Sequence, residues 1–374
     1  MIFVRGQHFP RAIAWFGFSS FWGHLWHLAA SAVATEDIDA RDWMQADDSE
    51  VLTDRVARRL LSPDTRVSHT ANEDAKRAEG TGLSLSEQLD SDIWIDFVAD
   101  TGDDSDVSEA VADMLFRDYE VDDPDGGGVL IAPRGHILAF GGDTAYPVAT
   151  QIEIHNRVCV PFGRVLRERI DDTPRVLLGI PGNHDWYDGL DGFARMFRAR
   201  RGTLGRASAD SQKDEVDRGG QIGHFIDWVE AFRVGRFVTK RHALPLAGYM
   251  PVQNSSYFAL RLAPKLGWWG VDRQLRSVDY TQRSYFAALR DARPDDGLIV
   301  CIADPAQAML QPSAKGRETL DAVQVDLEEE GPLVLTGDTH HYCRETLGAA
   351  THVIAGGGGA FLHPARMDGR SKRA

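Results

Sequence analysis

From Ile93 onward, apolar runs of strand length recur along the chain, each stopping in or near a Gly, Asp, Asn or Pro. They are Ile93–Ala99, Val129–Ala132, Ile137–Phe140, Val176–Ile180, Tyr257–Leu262, Leu298–Ile302, Leu333–Thr336 and His352–Ala355. Short apolar runs bounded by turn residues predict buried strands. Between some of them, apolar residues repeat at three- and four-residue spacing over Gln151–Ile170, Gly189–Arg198 and Asp279–Leu289, which predicts helices. Strands alternating with helices predict an α/β core whose ligands sit beyond the carboxyl ends of the strands.

Ahead of that core the pattern changes. Ala12–Thr35 carries no Asp, Glu, Lys or Arg, follows Arg5 and Arg11, and is rich in Trp and Phe, with His24, His27, Gly17 and Gly23 interrupting it. Three readings stand: an aromatic-rich helix docked on the protein or on a membrane surface, a spanning helix, or a signal peptide with Ala32-Val33-Ala34 as its cleavage signal. The expected location is cytoplasmic, with membrane association and secretion left open. The chain divides into an N-terminal helical segment (1–61), a polar, Ser- and acid-rich flexible linker (62–92), a main domain (93–366) with an insertion around 200–250, and a tail (367–374).

Composition narrows the function. The 374 residues, 43% hydrophobic and 26% charged, describe a globular chain long enough to fold without staples. With 41 basic against 56 acidic side chains the net charge is −15, so the mean field repels nucleic acid, and general nucleic-acid binding is not expected. An anionic substrate must then be met locally, by a metal or by arginine. The cysteines, Cys159, Cys301 and Cys343, are too few and scattered for a disulfide framework or a zinc knuckle.

Polar clusters stand where the strands stop: Asp100-Thr101-Gly102, Gly142-Asp143-Thr144-Ala145-Tyr146, Gly182-Asn183-His184-Asp185, Asp304 and Gly337-Asp338-Thr339-His340-His341. A lone Asp after a strand is more often a cap or turn former. Asn and His adjacent after an apolar strand have no packing rationale, and the clusters in series are harder still to explain as caps. Carboxylates, an amide and imidazoles together make the donor set of a metal centre open to water and phosphate.

These motifs resemble those of the metallophosphoesterase superfamily, the calcineurin-like and purple-acid-phosphatase-like enzymes, over roughly Ile93 to Pro364. The resemblance is most specific at Gly182–Asp185 and Gly142–Tyr146, and the DxG and GDxxY forms are similar to the purple acid phosphatases. It implies a four-layer α-β-β-α sandwich and metal-dependent hydrolysis of a phosphate mono- or diester at a binuclear centre. Asp100 and His340 would hold the first ion, Asp143 would bridge, Asn183 would hold the second, and Tyr146 either ligates as a phenolate or packs above Pro147. His184 would act as general acid, with Asp185 orienting its ring.

Two departures bear on the second ion. Where the family places a histidine after a strand, Ile302 leads to Ala303 and Asp304; where its GHxH motif begins, Asp338 stands in the histidine's place. If Asp304 and Asp338 both reach it, the second site becomes oxygen-rich, so the expected cofactors are two divalent or mixed-valence ions, Mn, Fe or Mg in preference to Zn. The expected partner is a phosphate-ester substrate, with peripheral membrane contact through the N-terminal segment left open. The competing functions are a catalytically silent metal-binding protein on the same scaffold and a membrane-peripheral phosphoesterase acting on a lipid phosphate. Trp268, Trp269 and Cys301 read as core, the glycine run 356–359 as permissive backbone beside a crowded site, and Arg241 and Arg283 as candidate phosphate clamps.

Overall fold

The computed structural model describes Met44 and residues 46–61, 81–123, 126–169, 171, 173–199, 244–275, 277–308 and 311–360. The aromatic segment 12–35, His224, Arg241, His363, most of the 200–250 insertion and the C-terminal tail lie outside these residues. Among the described residues no helix is long and apolar enough to cross a membrane.

The fold is mixed α/β. One sheet is parallel, in the order β1 (Ile95–Val98), β4 (Ile137–Phe140), β5 (Arg175–Gly179), β6 (Tyr249–Pro251). The other is mixed, ordered β13 (Tyr342–Leu347), β14 (Ala350–Ala355), β12 (Leu333–Thr336), β9 (Gly297–Cys301), β8 (Leu266–Gly270), β7 (Phe258–Ala263); its β14, β12, β9 and β8 run parallel. Two small ribbons, β2 (Tyr119–Asp122) with β3 (Val129–Ala132) and β10 (Gln307–Ala308) with β11 (Gln311–Pro312), stand apart. β4 and β5 are buried at every position, as strands covered on both faces must be.

Three apolar clusters account for both faces of both sheets. Phe140, Leu138 and Leu177 point one way, against Phe162 and Phe193. Ile137, Ala139, Val176 and Leu178 point the other way, toward Phe258, Leu260, Trp268 and Cys301 of the mixed sheet. That sheet's far side, with Ala259, Trp269, Val300 and Val334, packs against Phe286 and Leu320. The period-two alternation of each strand produces this division. Trp268 and Trp269 are core residues, and the Trp268 indole donates to Cys301 Sγ at 3.0 Å.

Local chemistry sets the helix ends. Asp104, Thr150 and Asp279 accept from the first backbone N–H groups of the helices Ser105–Leu115, Gln151–Ile154 and Tyr280–Ala292. The expected helix 151–170 is broken by a π turn at His155–Cys159 before it continues as Val160–Glu168. Pro161 lacks the N–H that would bond four residues back, and the preceding turn widens so that Val160 N–H reaches His155 O.

The linker boundary needs correction. Within residues 81–92, Ser84 and Glu87 form a capping box that starts a short helix, Leu85–Leu89, whose Leu85 is fully buried. The core likewise begins before Ile93. Helix Ser49–Leu61 buries Leu52, Val56 and Ala57 in the cluster between the two sheets.

Candidate functional site

The carboxyl ends of β1, β4 and β5 in one sheet and of β9, β12 and β14 in the other meet, and the polar clusters occupy the loops that leave them. Tyr146 is fully buried, and its hydroxyl is the meeting point. It lies 3.1 Å from Asp100 Oδ1, 3.2 Å from Asp143 Oδ2 and 2.9 Å from His340 Nε2. Asp100 comes from the exit of β1, Asp143 and Tyr146 from that of β4, and His340 from that of β12 on the opposite sheet. Tyr146 does not simply pack above Pro147.

The backbone is bent to allow this. Asp100, Asp143, Asp338 and His340 all have left-handed φ, at 56°, 49°, 67° and 50°. Such conformations are unfavourable for non-glycine residues and persist where surrounding structure holds them. Here the holding bonds are visible: Asp100 N–H donates to Gly142 O, Thr101 N–H to Asp143 O, and Gly337 N–H to Ala303 O. The glycine run crosses from the second sheet to the first. Ala99 N–H donates to Ala355 O, Gly358 N–H to Ala99 O and Ala360 N–H to Asp100 O. A Cβ at Gly356 would come within 2.4 Å of Asp100 Oδ2 and 2.8 Å of His340 N, so close approach, not phosphate cradling, explains this glycine.

Charge is crowded here. Burial, then Asp143, then Asp338 raise the Asp100 carboxyl well above the usual range. Asp143 is pushed up to about 7 by burial and by the charge of Asp338. Tyr146 is raised well above a normal phenol by burial and by Asp100 and Asp143, so without a cation it is a neutral hydrogen-bond donor. Asp100 Oδ2 is buried with no hydrogen-bond partner. Orphaned oxygen, crowded acids and an imidazole nitrogen fit one hard cation. Among the described residues no three His, Cys, Asp or Glu side chains group as a metal site, and the fit counts the Tyr146 oxygen as a further donor.

His184 stands beside this cluster, its ring 4.3 Å from that of Tyr146, centroid to centroid. Its Nδ1 lies 2.6 Å from Pro147 O, and its backbone N–H donates to Asp143 Oδ1 at 2.8 Å. Burial lowers its pKa. The expectation that Asp185 orients this ring is corrected. Asp185 is fully buried, its Oδ2 accepts from Gly182 N–H and Thr144 N–H, and its Oδ1 has no partner, so it ties the β4 and β5 exit loops together. Its charge still reaches His184 and favours the protonated ring.

The remaining expected ligands do not join the group around Tyr146. Asn183 donates from Nδ2 to Tyr187 Oη at 3.0 Å. Asp338 is near enough to raise Asp100, Asp143 and Asp304 by repulsion. Asp304 is bound by Arg273, Nε to Oδ2 at 2.5 Å. Arg273 was not singled out in the sequence; its place right after Gly270-Val271-Asp272, at a strand exit, is the signal that could have found it. His341 turns away, with Nδ1 2.7 Å from Thr339 O. Arg283 donates Nε to Val278 O. Cys301 and Cys159 are pushed up to about 12 by burial, which suits core thiols and not nucleophiles.

No family model matches this chain, and no curated protein matches it significantly.

Proposed function

We propose that the chain is a metal-dependent phosphoesterase of the metallophosphoesterase type, hydrolysing a phosphate mono- or diester by direct attack of water. One observation carries the reading: Asp100, Asp143 and His340, brought by three strand exits from two sheets, converge on the buried hydroxyl of Tyr146. Apolar clusters on both outer faces and between the sheets support the finer fold reading, helices and two sheets stacked as an α-β-β-α sandwich.

Asp100, Asp143, Tyr146 and His340 would hold the ion. When bound, it polarises the phosphoryl oxygen and lowers the pKa of a bound water toward neutrality. Three oxygens and one nitrogen favour Mn, Fe or Mg over Zn, and a tyrosine ligand favours ferric iron.

The chain's own residues supply the proton chemistry. Pro147 O can only accept, so His184 Nδ1 carries a hydrogen and Nε2 is the atom that gains or loses the working proton. In the free protein, burial favours the neutral ring. An approaching anionic ester raises its pKa, and the protonated Nε2 then donates to the leaving oxygen. Asp185 acts through position, fixing the loops that carry Asp143 and His184, and its charge adds to the stability of the imidazolium. No side-chain nucleophile is needed.

The test is turnover of a generic aryl phosphate by chelated protein given Mn²⁺ or Fe. Metal should restore activity, and His184→Ala should lower it by about 10²–10⁴-fold. Equal turnover by wild type and His184→Ala with metal present removes this reading and leaves the silent metal-binding alternative.

A further inference from the structure

The resemblance implies two ions, and the residues expected for the second are already engaged. Asp304 leaves β9 and Arg273 leaves the adjacent parallel strand β8, so their side chains meet at the same edge. The Arg273 guanidinium holds Asp304 Oδ2 at 2.5 Å, with the two side chains 10% and 8% exposed. Lys315 Nζ, in the first turn of helix Ala314–Ala322, stands 3.9 Å from Asp304 Oδ1. Both carboxylate oxygens therefore face a protein cation. Asp143 turns Oδ1 to the His184 N–H, and Asn183 spends its amide on Tyr187. An incoming divalent ion would have to break a buried ion pair and leave the guanidinium uncompensated, which is strongly unfavourable.

Arg273 is also well placed to act on a ligand. The next residue back, Asp272, is fully buried and accepts from Trp186 Nε1 at 2.9 Å and Ser256 Oγ at 2.5 Å. Trp186 ends the short helix that carries His184, so the loop bearing Arg273 is tied to the proposed proton donor. Arg273 uses Nε on Asp304, and among the described residues its Nη groups make no hydrogen bond to the protein. A guanidinium anchored on one side with its fork open suits a tetrahedral oxyanion.

Resting on the phosphoesterase reading, we propose that this chain works with a single resident ion, and that Arg273, backed by Lys315, takes the second ion's place as the cation that binds the ester's phosphate. The two departures from the family pattern then belong together. Asp304 stands at a strand exit where the family uses an imidazole, and its carboxylate holds a guanidinium in place of a metal.

The experiment uses the full chain, stripped with chelator, reloaded with Mn²⁺ and freed of excess by gel filtration. Elemental analysis should give one equivalent per chain, and calorimetric titration with inorganic phosphate should show affinity falling about tenfold in Arg273→Ala. Lys315→Ala, at a side chain 65% exposed, should fold normally and show a smaller loss in the same direction. Arg273→Lys keeps the charge and should recover part of the affinity. Two equivalents in the wild type, or phosphate affinity unchanged in both Arg273→Ala and Lys315→Ala, overturns the inference and leaves the phosphoesterase reading intact. No bound ion, with Tyr146→Phe behaving as wild type, removes the phosphoesterase reading itself.

Discussion

The two halves of the strand-exit region carry similar residues and end differently. Around Tyr146, two acids and an imidazole are drawn together although burial and mutual repulsion oppose it. Around Asp304, an acid at a comparable strand exit is claimed by Arg273. Strand exits alone do not gather acids around one point. The first half has left-handed backbone at Asp100, Asp143 and His340 and cross-sheet bonds that hold them there. The second half has a cation of its own, supplied by the neighbouring strand.

The largest effect expected from that contrast is in metal affinity. His340→Ala should weaken Mn²⁺ binding by more than about 10²-fold, while Asn183→Ala should change it by less than about tenfold, both by calorimetry. Comparable losses would make the halves equivalent. Next comes a control for burial without crowding. Asp96, near the entry of β1 whose exit carries Asp100, is pushed up to about 6 chiefly by burial, against the pull of its bond from Gly135 N–H. An acid with a raised folded pKa stabilises the fold at low pH and loses that contribution as pH rises. The Asp96 contribution should therefore fall by about 2–3 kcal/mol between roughly pH 4 and 6. Urea melts of wild type and Asp96→Asn across that window check this; the variant should lose less stability by that amount, while the decline due to Asp100 and Asp143 remains in both.

Tyr146→Phe isolates the hub. It should lower metal affinity by about 10–100-fold with the fold retained, and an iron-loaded wild type should show a visible phenolate charge-transfer band that the variant lacks. The smallest effect is expected from the backbone that presses the two sheets together. Gly356→Ala should cost about 1–2 kcal/mol in a denaturant melt, because the added methyl meets Asp100 Oδ2 and the His340 backbone.

Much of this was legible in the sequence, and the misses have physical causes. Buried strands such as β4, β5 and β12 announce themselves as apolar runs. β13, Tyr342–Leu347, does not, since it is a half-exposed edge strand with Tyr342, Arg344 and Thr346 on its outer face. Helix Ser105–Leu115 was missed because its buried residues, Ser108 and Ala112, are small rather than apolar in pattern. Helix Leu85–Leu89 hid in polar surroundings, too short to show a period. In the candidate site, the motif positions included Asp100, Asp143, Tyr146 and His340, whose side chains meet. They could not show that Asp185 would face backbone N–H groups and not the His184 ring, nor that Arg273 would take Asp304. Both outcomes depend on which neighbour a side chain meets across a strand gap, and one-dimensional spacing holds no such information.

The bonds from Ala355–Ala360 back to Ala99–Asp104 tie the exit of β14 to that of β1. The acidic cluster therefore forms only once two strands far apart in sequence have met, since the glycine clasp that presses on Asp100 and His340 follows the second of them. Any cation bound there would meet a site that exists only in the folded molecule.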